Sequence, residues 1–324
     1  EIYTGEDTLS LHDALPTYAI AKTAAAEPMG SVPITPDRIL LVDGDGLAYY
    51  CAGNDDTDIG TARFNLAAKI QAAANLVGAE RTIVLLTLSG SNKGHRYAIA
   101  RVKPYQGQRA NSKRPKNWQG LRDYMEGKEF PFTVDSTIVA EADDLFGWYS
   151  STYSDVVILT QDKDMRMVTG LHLDWVTNRQ HQVVAGEDSV FNDKQYGIKW
   201  FWLQMLHGDT ADNIPGLPKY VIDGKAKPVG EVTAGKILAH SVQEKHFSDS
   251  VAYCYQSYYG ERWLVEMLEQ ACLLWMRRNP DNWADCAEYG GPMYQFTDHE
   301  YWPAAYAEIE QRVRQADELN AIQT

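Results

Sequence analysis

The feature that most constrains the fold is a run of four apolar residues, 39–42, that leads directly into Asp43-Gly-Asp-Gly. A short apolar run that ends in turn residues is typical of a strand buried on both faces. A helical pattern follows over residues 61–77, and residues 82–88 form a second apolar run. Strand, helix and strand in this order predict a parallel sheet, in which functional groups gather at the carboxyl ends of the strands.

The remaining chain predicts one more strand and then a helical region. Residues 155–160 read as a third strand, and a helix carrying Glu141-Ala-Asp-Asp comes before it. Beyond about Phe191 the pattern is mainly helical, with a glycine- and proline-rich connection over residues 213–235. A stripe at helical spacing is interpreted as core rather than as a base-stacking surface, and its members are Leu264, Met267, Leu268, Ala271, Cys272 and Trp275.

Residues 1–36 show no sustained helical or strand periodicity. Their early stretch, GEDTLSLHDALPT, resembles translated sequencing-adapter sequence, and Met29 is a candidate natural start. A signal peptide is the competing interpretation, although a basic start followed by a compact apolar run is missing. We therefore exclude this extension from the fold prediction.

Charge is distributed unevenly along the chain. The formal net charge is −14, which taken alone argues against a nucleic-acid partner. Residues 81–122, however, contain ten Lys and Arg and no Asp or Glu. A segment of this kind can neutralise phosphates locally, so the overall charge does not exclude nucleic acid.

The four cysteines are far apart and form no CxxC pair, which favours reduced, structural thiols. No run of eighteen apolar residues occurs, so we expect no membrane association. We expect a monomer in the cytoplasm, or in the host cytoplasm if a phage encodes it.

Acidic residues form four clusters at predicted strand ends or helix starts. Each cluster alone is equally compatible with a solvated turn, a helix cap or a first-turn acid that interacts with the helix dipole. Together they offer the hard oxygen ligands that Mg²⁺ and Mn²⁺ prefer. Two such ions could activate water and neutralise charge on a phosphate under attack, which points to phosphodiester hydrolysis. The clusters are Asp43 with Asp45, Glu141 with Asp143 and Asp144, Asp162 with Asp164, and Asp209 with Asp212.

Five motifs in one order carry a resemblance to a known family. They are LLVDGDG, a basic segment ending in KPYQGQR, EADD, ILTQDKD and HGDTADNIPG. Over residues 38–238 this order resembles the bacteriophage and bacterial 5′-3′ exonuclease and flap endonuclease family, which is related to the 5′-nuclease domain of bacterial DNA polymerase I. The resemblance implies a metal-dependent nuclease that cuts DNA at 5′ ends or flaps, with RNA–DNA hybrids as a further substrate.

The resemblance also implies a fold and a domain organisation. We expect an α/β, PIN-like (resolvase-like) fold with a mostly parallel central sheet and flanking helices, then a helix-three-turn-helix and a C-terminal helical region. The predicted parts are the extension 1–36, a catalytic core 37–190, and a DNA-binding and helical region 191–324. Residues 219–227 look like an insertion between the two halves of the helix-three-turn-helix.

Site residues follow by matching to the motifs. The implied ligands of two Mg²⁺ or Mn²⁺ ions are Asp43, Glu141, Asp143, Asp144, Asp162, Asp164, Asp209 and Asp212. The implied catalytic cations are Arg109, Lys103 and Lys93. The implied DNA contacts are Arg96, Tyr105, Gln106, Arg109, Lys113, Gly216, Gly230, Thr233 and Lys236, with K⁺ as a further ion at the helix-three-turn-helix.

Two departures from the family pattern predict slower chemistry. After the second strand the family usually carries an aspartate, whereas Ser89 or Gly90 stands nearest to that position here. The gateway motif Tyr-Lys-x-x-Arg is Tyr105-Gln-Gly-Gln-Arg in this chain, so that Gln106 replaces a lysine. A nuclease-fold protein that binds DNA without cutting it is therefore one alternative. A haloacid-dehalogenase-type phosphatase, with Asp43 as nucleophile and Asp45 as acid/base, is another.

Overall fold

A six-stranded sheet forms the centre of the molecule. The computed structural model describes residues 32–111, 113–222, 225–239, 241 and 243–323. The strand order is β3-β2-β1-β4-β5-β6, and all neighbours are parallel except β6, which runs antiparallel to β5. These strands are β1 Thr35–Asp43, β2 Ala79–Thr87, β3 Thr133–Thr137, β4 Val156–Leu159, β5 Gly170–Leu173 and β6 Gln180–Val183.

Helices cover both faces of this sheet, and two short hairpins lie outside it. The hairpins are β7 Ser189–Phe191 with β8 Lys194–Tyr196, and β9 Lys219–Ile222 with β10 Lys225–Pro228. The helices are α1 Gly44–Cys51, α2 Ile59–Val77, α3 Arg96–Ile99, α4 Trp118–Met125, α5 Ala142–Thr152, α6 Ile198–His207, α7 Glu231–Ile237, α8 Glu244–Tyr259, α9 Trp263–Leu274 and α10 Trp302–Gln323.

Local sequence signals explain where the first long helix begins and ends. The side chain of Asp58 caps α2 by accepting the backbone N–H of Thr61 at 2.9 Å. Gly78 follows the helix with φ +63°, a left-handed conformation in which glycine has no steric penalty. Leu66 and Ile70 lie on the buried face between these ends. The helix boundaries are therefore set by capping and the helix position by burial.

Successive residues of β1 point to opposite faces of the sheet and enter two different cores. Ile39 and Leu41 pack in a core that includes the C-terminal helices, whereas Leu40 and Val42 pack with α1, α2 and α4. All four are fully buried. A strand covered on both faces has no polar side to alternate with, which explains the continuous apolar run in the sequence.

The predicted α/β fold with a mostly parallel sheet is confirmed, and β1, α2, β2, α5 and β4 lie where the sequence placed them. The apolar stripe of α9 is buried, as predicted, and all four cysteines are buried and free. The sequence did not reveal β3, the short strands β5–β8, or the hairpin β9–β10 that occupies the suspected insertion. These strands are only three to five residues long, too short for a clear periodic pattern.

The described residues from Val32 onwards form one compact unit. Trp202 of α6 and Tyr255 of α8 belong to the same core as Ile39 of β1. The prediction for the N-terminal extension falls largely on residues 1–31, which lie outside the described residues. None of the helices in the described part of the chain combines the length and apolarity that a membrane span requires.

Candidate functional site

The first carboxylate of the site stands at the carboxyl end of the central strand β1. Asp43 is the N-cap of α1, and its Oδ1 accepts the backbone N–H of Gly46 at 2.7 Å. The hydroxyl of Thr160, which follows β4, donates to Oδ2 at 2.9 Å. These bonds fix the Asp43 carboxylate between two neighbouring strand ends.

Glu141 and Asp143 enter the site from the start of α5. Glu141 and Asp144 form a reciprocal capping box, in which the Asp144 carboxylate accepts the backbone N–H of Glu141 at 3.1 Å. Asp143 lies among other carboxylates, and the negative charges of Asp162, Glu141 and Asp43 all repel its own charge. The helix start therefore directs Glu141 and Asp143 towards the end of β1.

Asp162 and Asp164 follow β4 in a tight turn. The backbone N–H of Asp164 donates to Asp162 Oδ1 at 2.8 Å, and the amide of Gln204 on α6 donates to Asp164 Oδ1 at 2.5 Å. Between them, Lys163 directs its ammonium group to Asp209 Oδ1 at 2.5 Å and to Asp164 Oδ1 at 3.4 Å. Lys163 is thus a positive charge among these carboxylates. We call the group the acidic centre, and its members are Asp43, Glu141, Asp143, Asp162, Asp164, Asp209 and Asp212.

Asp209 and Asp212 complete the centre from the turn after α6. Asp209 and Ile214 exchange backbone hydrogen bonds of 2.8 and 2.7 Å, which close this turn on itself. One carboxylate oxygen from each of Asp164, Asp209 and Asp212 lies within 4.8 Å of the others. This spacing is compatible with three oxygen ligands on one divalent cation.

Burial and mutual repulsion raise the pKa values of several of these carboxylates. Burial raises the pKa of Asp143 and of Asp164 well above the usual aspartate value, and the charge of Asp162 raises both further. Burial raises the pKa of Asp212 to about 6, although Arg109 acts in the opposite direction. Burial acts to raise the pKa of Asp209 too, but the ion pair with Lys163 lowers it below the usual value. Bound cations would relieve this repulsion, so the arrangement fits a metal centre.

Three residues of the predicted gateway motif lie against the same carboxylates. The hydroxyl oxygen of Tyr105 lies 2.6 Å from Glu141 Oε2 and 3.0 Å from Asp212 Oδ2, so that its single O–H can donate to either carboxylate. The amide of Gln106 donates to Glu141 Oε1 at 3.3 Å and to Asp212 Oδ1 at 3.1 Å. The guanidinium of Arg109 forms an ion pair with Asp212. The basic segment and the acidic centre are therefore one site.

The other predicted cations are placed differently. Lys93 lies 3.3 Å from Glu141 Oε1 and so belongs to the centre. Lys103 and Lys113 are exposed, and no hydrogen bond or ion pair links them to the acidic centre within the described residues. They remain available to a ligand that approaches from solvent.

Arg96 and Asp144 are placed where their predicted roles do not fit. Arg96 is fully buried and holds Asp144 with N–O distances of 2.7 and 2.8 Å, while the Arg277 backbone N–H donates to the same carboxylate. Asp144 is also fully buried. A guanidinium without exposed surface is not positioned to contact DNA, and a carboxylate whose oxygens are already bonded is not open to a cation. Both residues instead position α5, and through it Glu141.

The helix-three-turn-helix residues are distributed around α7. Gly216 has φ +61° and donates its backbone N–H to the side chain of Gln270 at 3.0 Å, so that this N–H is already used. Gly230 is the exposed N-cap of α7, and Lys236 is exposed on the same helix. Thr233 is partly buried between them. Gly230 and Lys236 are thus the members of this set with clear access to solvent.

The two departures from the family pattern have distinct structural outcomes. Ser89 and Gly90 lie in an exposed turn beyond β2, and no carboxylate from that turn enters the centre. Asp45 is turned towards β2, where it accepts the backbone N–H of Thr87 at 3.1 Å and pairs with Arg122. Because Asp45 is held in this ion pair, it is poorly suited to the acid/base role of the phosphatase alternative.

Sequence analysis missed three residues that contact the centre, namely Thr160, Lys163 and Gln204. Lys163 could have been suspected because it lies between two candidate ligands. Gln204 gave no signal, since a glutamine within an apolar helix is compatible with many roles until its partner is known.

Comparisons with known proteins give the fold of the chain. No protein-family model matches the sequence, and no curated protein matches it. Among solved structures, the bacteriophage T5 5′-exonuclease with bound zinc has a TM-score of 0.56 at 17% identity, covering 85% of this chain and 99% of that chain. The T5 flap endonuclease in a pseudo-enzyme–product complex with DNA and metal ions has a TM-score of 0.54 at 15% identity, covering 86% and 99%. A further T5 structure with metal ions has a TM-score of 0.51 at 17% identity, covering 87% and 98%. The chain therefore has the fold of the bacteriophage T5 5′-exonuclease and flap endonuclease, as the sequence motifs predicted.

Proposed function

We propose that this protein is a metal-dependent 5′-nuclease that hydrolyses phosphodiester bonds in DNA with 5′ ends or flaps. The observation that carries the proposal is the meeting of four acidic segments and the Tyr105–Arg109 segment at one edge of the sheet. Carboxylates supply cation ligands there, and Arg109 supplies a donor group for phosphate. The resemblance of the fold to nucleases solved with DNA and metal ions supports the same assignment.

Two groups of residues would hold the cations. Asp164, Asp209 and Asp212 have oxygens close enough for one ion. The remaining ligands, Asp43, Glu141, Asp143 and Asp162, would share a second ion. Divalent cations, of which we propose Mg²⁺ or Mn²⁺, would activate water and neutralise charge that develops on the phosphate.

The chain's own residues prepare this chemistry. Tyr105 and Gln106 orient Glu141 and Asp212 by donating hydrogen bonds, and a cation ligand needs this kind of outer support. The Lys163 ammonium holds Asp209 in place and lowers its pKa against the effect of burial, so that the carboxylate stays ionised. Arg109, which is half exposed, can exchange Asp212 for a phosphate oxygen when a strand is bound.

Several finer assignments form part of the proposal. Backbone and side-chain groups around Gly230 and Lys236 would hold the duplex, with K⁺ as an additional ion there, because exposed donors at a helix start suit phosphate. Recognition would depend on DNA structure rather than base sequence. We propose residues 37–190 as the catalytic part and 191–324 as the DNA-binding and helical part, in a monomer that acts in the cytoplasm. RNA–DNA hybrids are proposed as further substrates.

The deciding experiment uses 5′-labelled and 3′-labelled duplex and 5′-flap DNA with Mg²⁺, Mn²⁺ or EDTA. We expect metal-dependent release from the 5′ side, and its loss in the Asp162→Asn/Asp164→Asn double variant. Asp249→Asn, on the exposed surface of α8, is the matched control and should cut like the wild type.

The second candidate is a DNA-binding protein that does not cut. The absence of a carboxylate from the turn at Ser89, together with the glutamine at Gln106, favours it. Flap binding without cleavage under either cation would support this candidate and overturn the nuclease. Hydrolysis of a small phosphomonoester, without cleavage of DNA, would instead support the phosphatase.

A further inference from the structure

A cavity of about 60 Å³ lies beside the acidic centre, on the side of the β7–β8 hairpin. Thr160 and Asp162 line both the cavity and the centre. Three basic side chains line the rest of it, namely Arg166, Arg179 and Lys194. None of the motifs discussed above includes these three residues.

The hairpin wall of the cavity is well fixed. The backbone N–H of Gly197, directly after β8, donates to the carbonyl of Arg166 at 2.9 Å. The ring of His181 stacks on Phe191 with centroids 4.6 Å apart and planes within 10°. The guanidinium of Arg179 donates to the side chain of Asn192 at the hairpin tip at 2.8 Å. The cavity is therefore a built feature rather than a gap under a loose loop.

Arg166 provides the main evidence for a ligand. Its half-buried guanidinium lies over the rings of Trp200 and Tyr196, with centroid distances of 4.6 and 6.0 Å. Within the described residues its side chain makes no hydrogen bond and no ion pair, although a guanidinium carries five N–H donors. Its guanidinium nitrogens are open to solvent rather than enclosed, so an acceptor that enters the cavity can reach them without displacing a partner in the described part of the chain.

Charge and size restrict the ligand. Of the two acidic residues that line the cavity, Asp174 already accepts backbone N–H groups from Val176 and Thr177, and Asp162 belongs to the metal centre. Three basic side chains face two carboxylates, so the lining keeps one net positive charge. A volume of about 60 Å³ holds several water molecules at about 10–15 Å³ each, or one tetrahedral oxyanion.

We propose that this cavity binds a phosphate group of a nucleotide, with Arg166 as the main donor and Lys194 and Arg179 at its rim. The assignment of the phosphate to a nucleotide rests on the proposed nuclease function. Because Asp162 borders both sites, the phosphate would lie next to the one being cut. It would belong either to the bound strand or to a released mononucleotide, and the two sources share the same recognition chemistry.

The test follows the side-chain Nε–H signal of Arg166 by NMR on the isotope-labelled full chain in EDTA, so that nothing is cut. The probes are inorganic phosphate, a 5′-mononucleotide, and a 5′-phosphorylated single-stranded oligonucleotide. Arg314, which pairs with Glu310 on the surface of α10, supplies the reference signal. We expect saturable shifts at Arg166 and none at Arg314. A response to all three probes assigns the site to strand and product alike, and a response to the small probes alone assigns it to the product.

Two variants test the contact, so that the result does not depend on the correct folding of a single variant. Arg166→Gln and the exposed Lys194→Gln should each weaken inorganic phosphate binding about tenfold, and Arg314→Gln should not. If the oligonucleotide uses the cavity, either variant also lowers the salt dependence of its binding by about 0.7 in the log–log slope, the contribution of one phosphate contact on a single strand.

The outcomes separate this site from the nuclease itself. If Arg166 responds to none of the probes, the phosphate site is wrong. Cleavage of flap DNA by the same preparation would still support the nuclease function. A saturable response to phosphate in a protein that cuts no DNA with Mg²⁺ or Mn²⁺ would support the anion site and contradict the nuclease function.

Discussion

Arg96 and Asp144 form an ion pair in which two guanidinium nitrogens meet two carboxylate oxygens at 2.7 and 2.8 Å, with both side chains buried. Replacing one partner leaves the other charge buried without compensation. We expect Arg96→Met to lower the free energy of unfolding by about 3–5 kcal/mol, measured by urea denaturation.

A double-mutant cycle separates pairing from packing at this position. Arg96→Met/Asp144→Asn should recover part of the lost stability, because the Asp144 charge is then removed together with the guanidinium that balances it. If Arg96→Met alone lies within about 0.5 kcal/mol of the wild type, the pair does not support the start of α5 in the way we describe.

Asp143 is the carboxylate most surrounded by other carboxylates. Burial and the charges of Asp162 and Glu141 raise its pKa well above the usual value, so that without cations it destabilises the fold. We expect Asp143→Asn to stabilise the protein in EDTA by about 1 kcal/mol and to reduce the rise in Tm that Mg²⁺ or Mn²⁺ produces in the wild type.

The matched control is again Asp249→Asn, which removes an exposed acid from α8. It should leave both the Tm in EDTA and the shift with cations unchanged. Equal cation-induced shifts in the wild type and Asp143→Asn would remove Asp143 from the set of ligands.

Gln106 stands where the gateway motif of the family that the sequence resembles has a lysine, and we expect a positive charge there to assist phosphate binding. Its amide lies 3.3 Å from Glu141 and 3.1 Å from Asp212. We expect Gln106→Lys to raise the rate of flap cleavage about tenfold, equivalent to about 1.4 kcal/mol in the barrier.

Gln108 provides the control for this substitution. Among the described residues its exposed amide bonds only to the backbone carbonyls of Thr210 and Ala211, so Gln108→Lys adds the same charge nearby without touching the carboxylates. Unchanged or slower cleavage by Gln106→Lys would show that the glutamine does not limit the chemistry.

The burial of the His172 imidazole predicts a contribution to the free energy of unfolding that is lost in acid. Burial lowers its pKa from 6.5 to about 4, and its Nε2 lies 2.8 Å from the carbonyl oxygen of Val168. The unfolded chain takes up the proton first as the pH falls below 6.5. The stabilisation is thus complete above that pH and is lost towards pH 4, by about 3 kcal/mol.

His172→Gln should lose less stability than the wild type between pH 7 and pH 4, as measured by urea denaturation at each pH. His246→Gln, which changes an exposed histidine of α8, should keep the wild-type dependence. Parallel curves for the wild type and His172→Gln would contradict the assignment.

Part of the candidate site could be read from the sequence because its chemistry is local. Asp43 follows a buried strand directly, Glu141 and Asp143 begin a helix, and Asp162 and Asp164 follow another strand. The direction of each strand then fixes the edge at which these groups emerge. What the sequence could not distinguish was Asp143 from Asp144, since adjacent residues at a helix start point in different directions and only packing against Arg96 separates them.

The sequence by itself determined the order of β1, α2, β2, α5 and β4, since apolar runs and capping residues act over a few positions. It also determined that several carboxylates share one edge of the sheet. Tertiary structure alone decided that Lys163 lies among the acids, that Gln204 supports Asp164, and that Arg166 faces a cavity beneath a hairpin. Those contacts join segments that are far apart in the chain, and no periodic pattern in the sequence indicates which distant segments meet. Burial strengthens the electrostatic interactions in each contact.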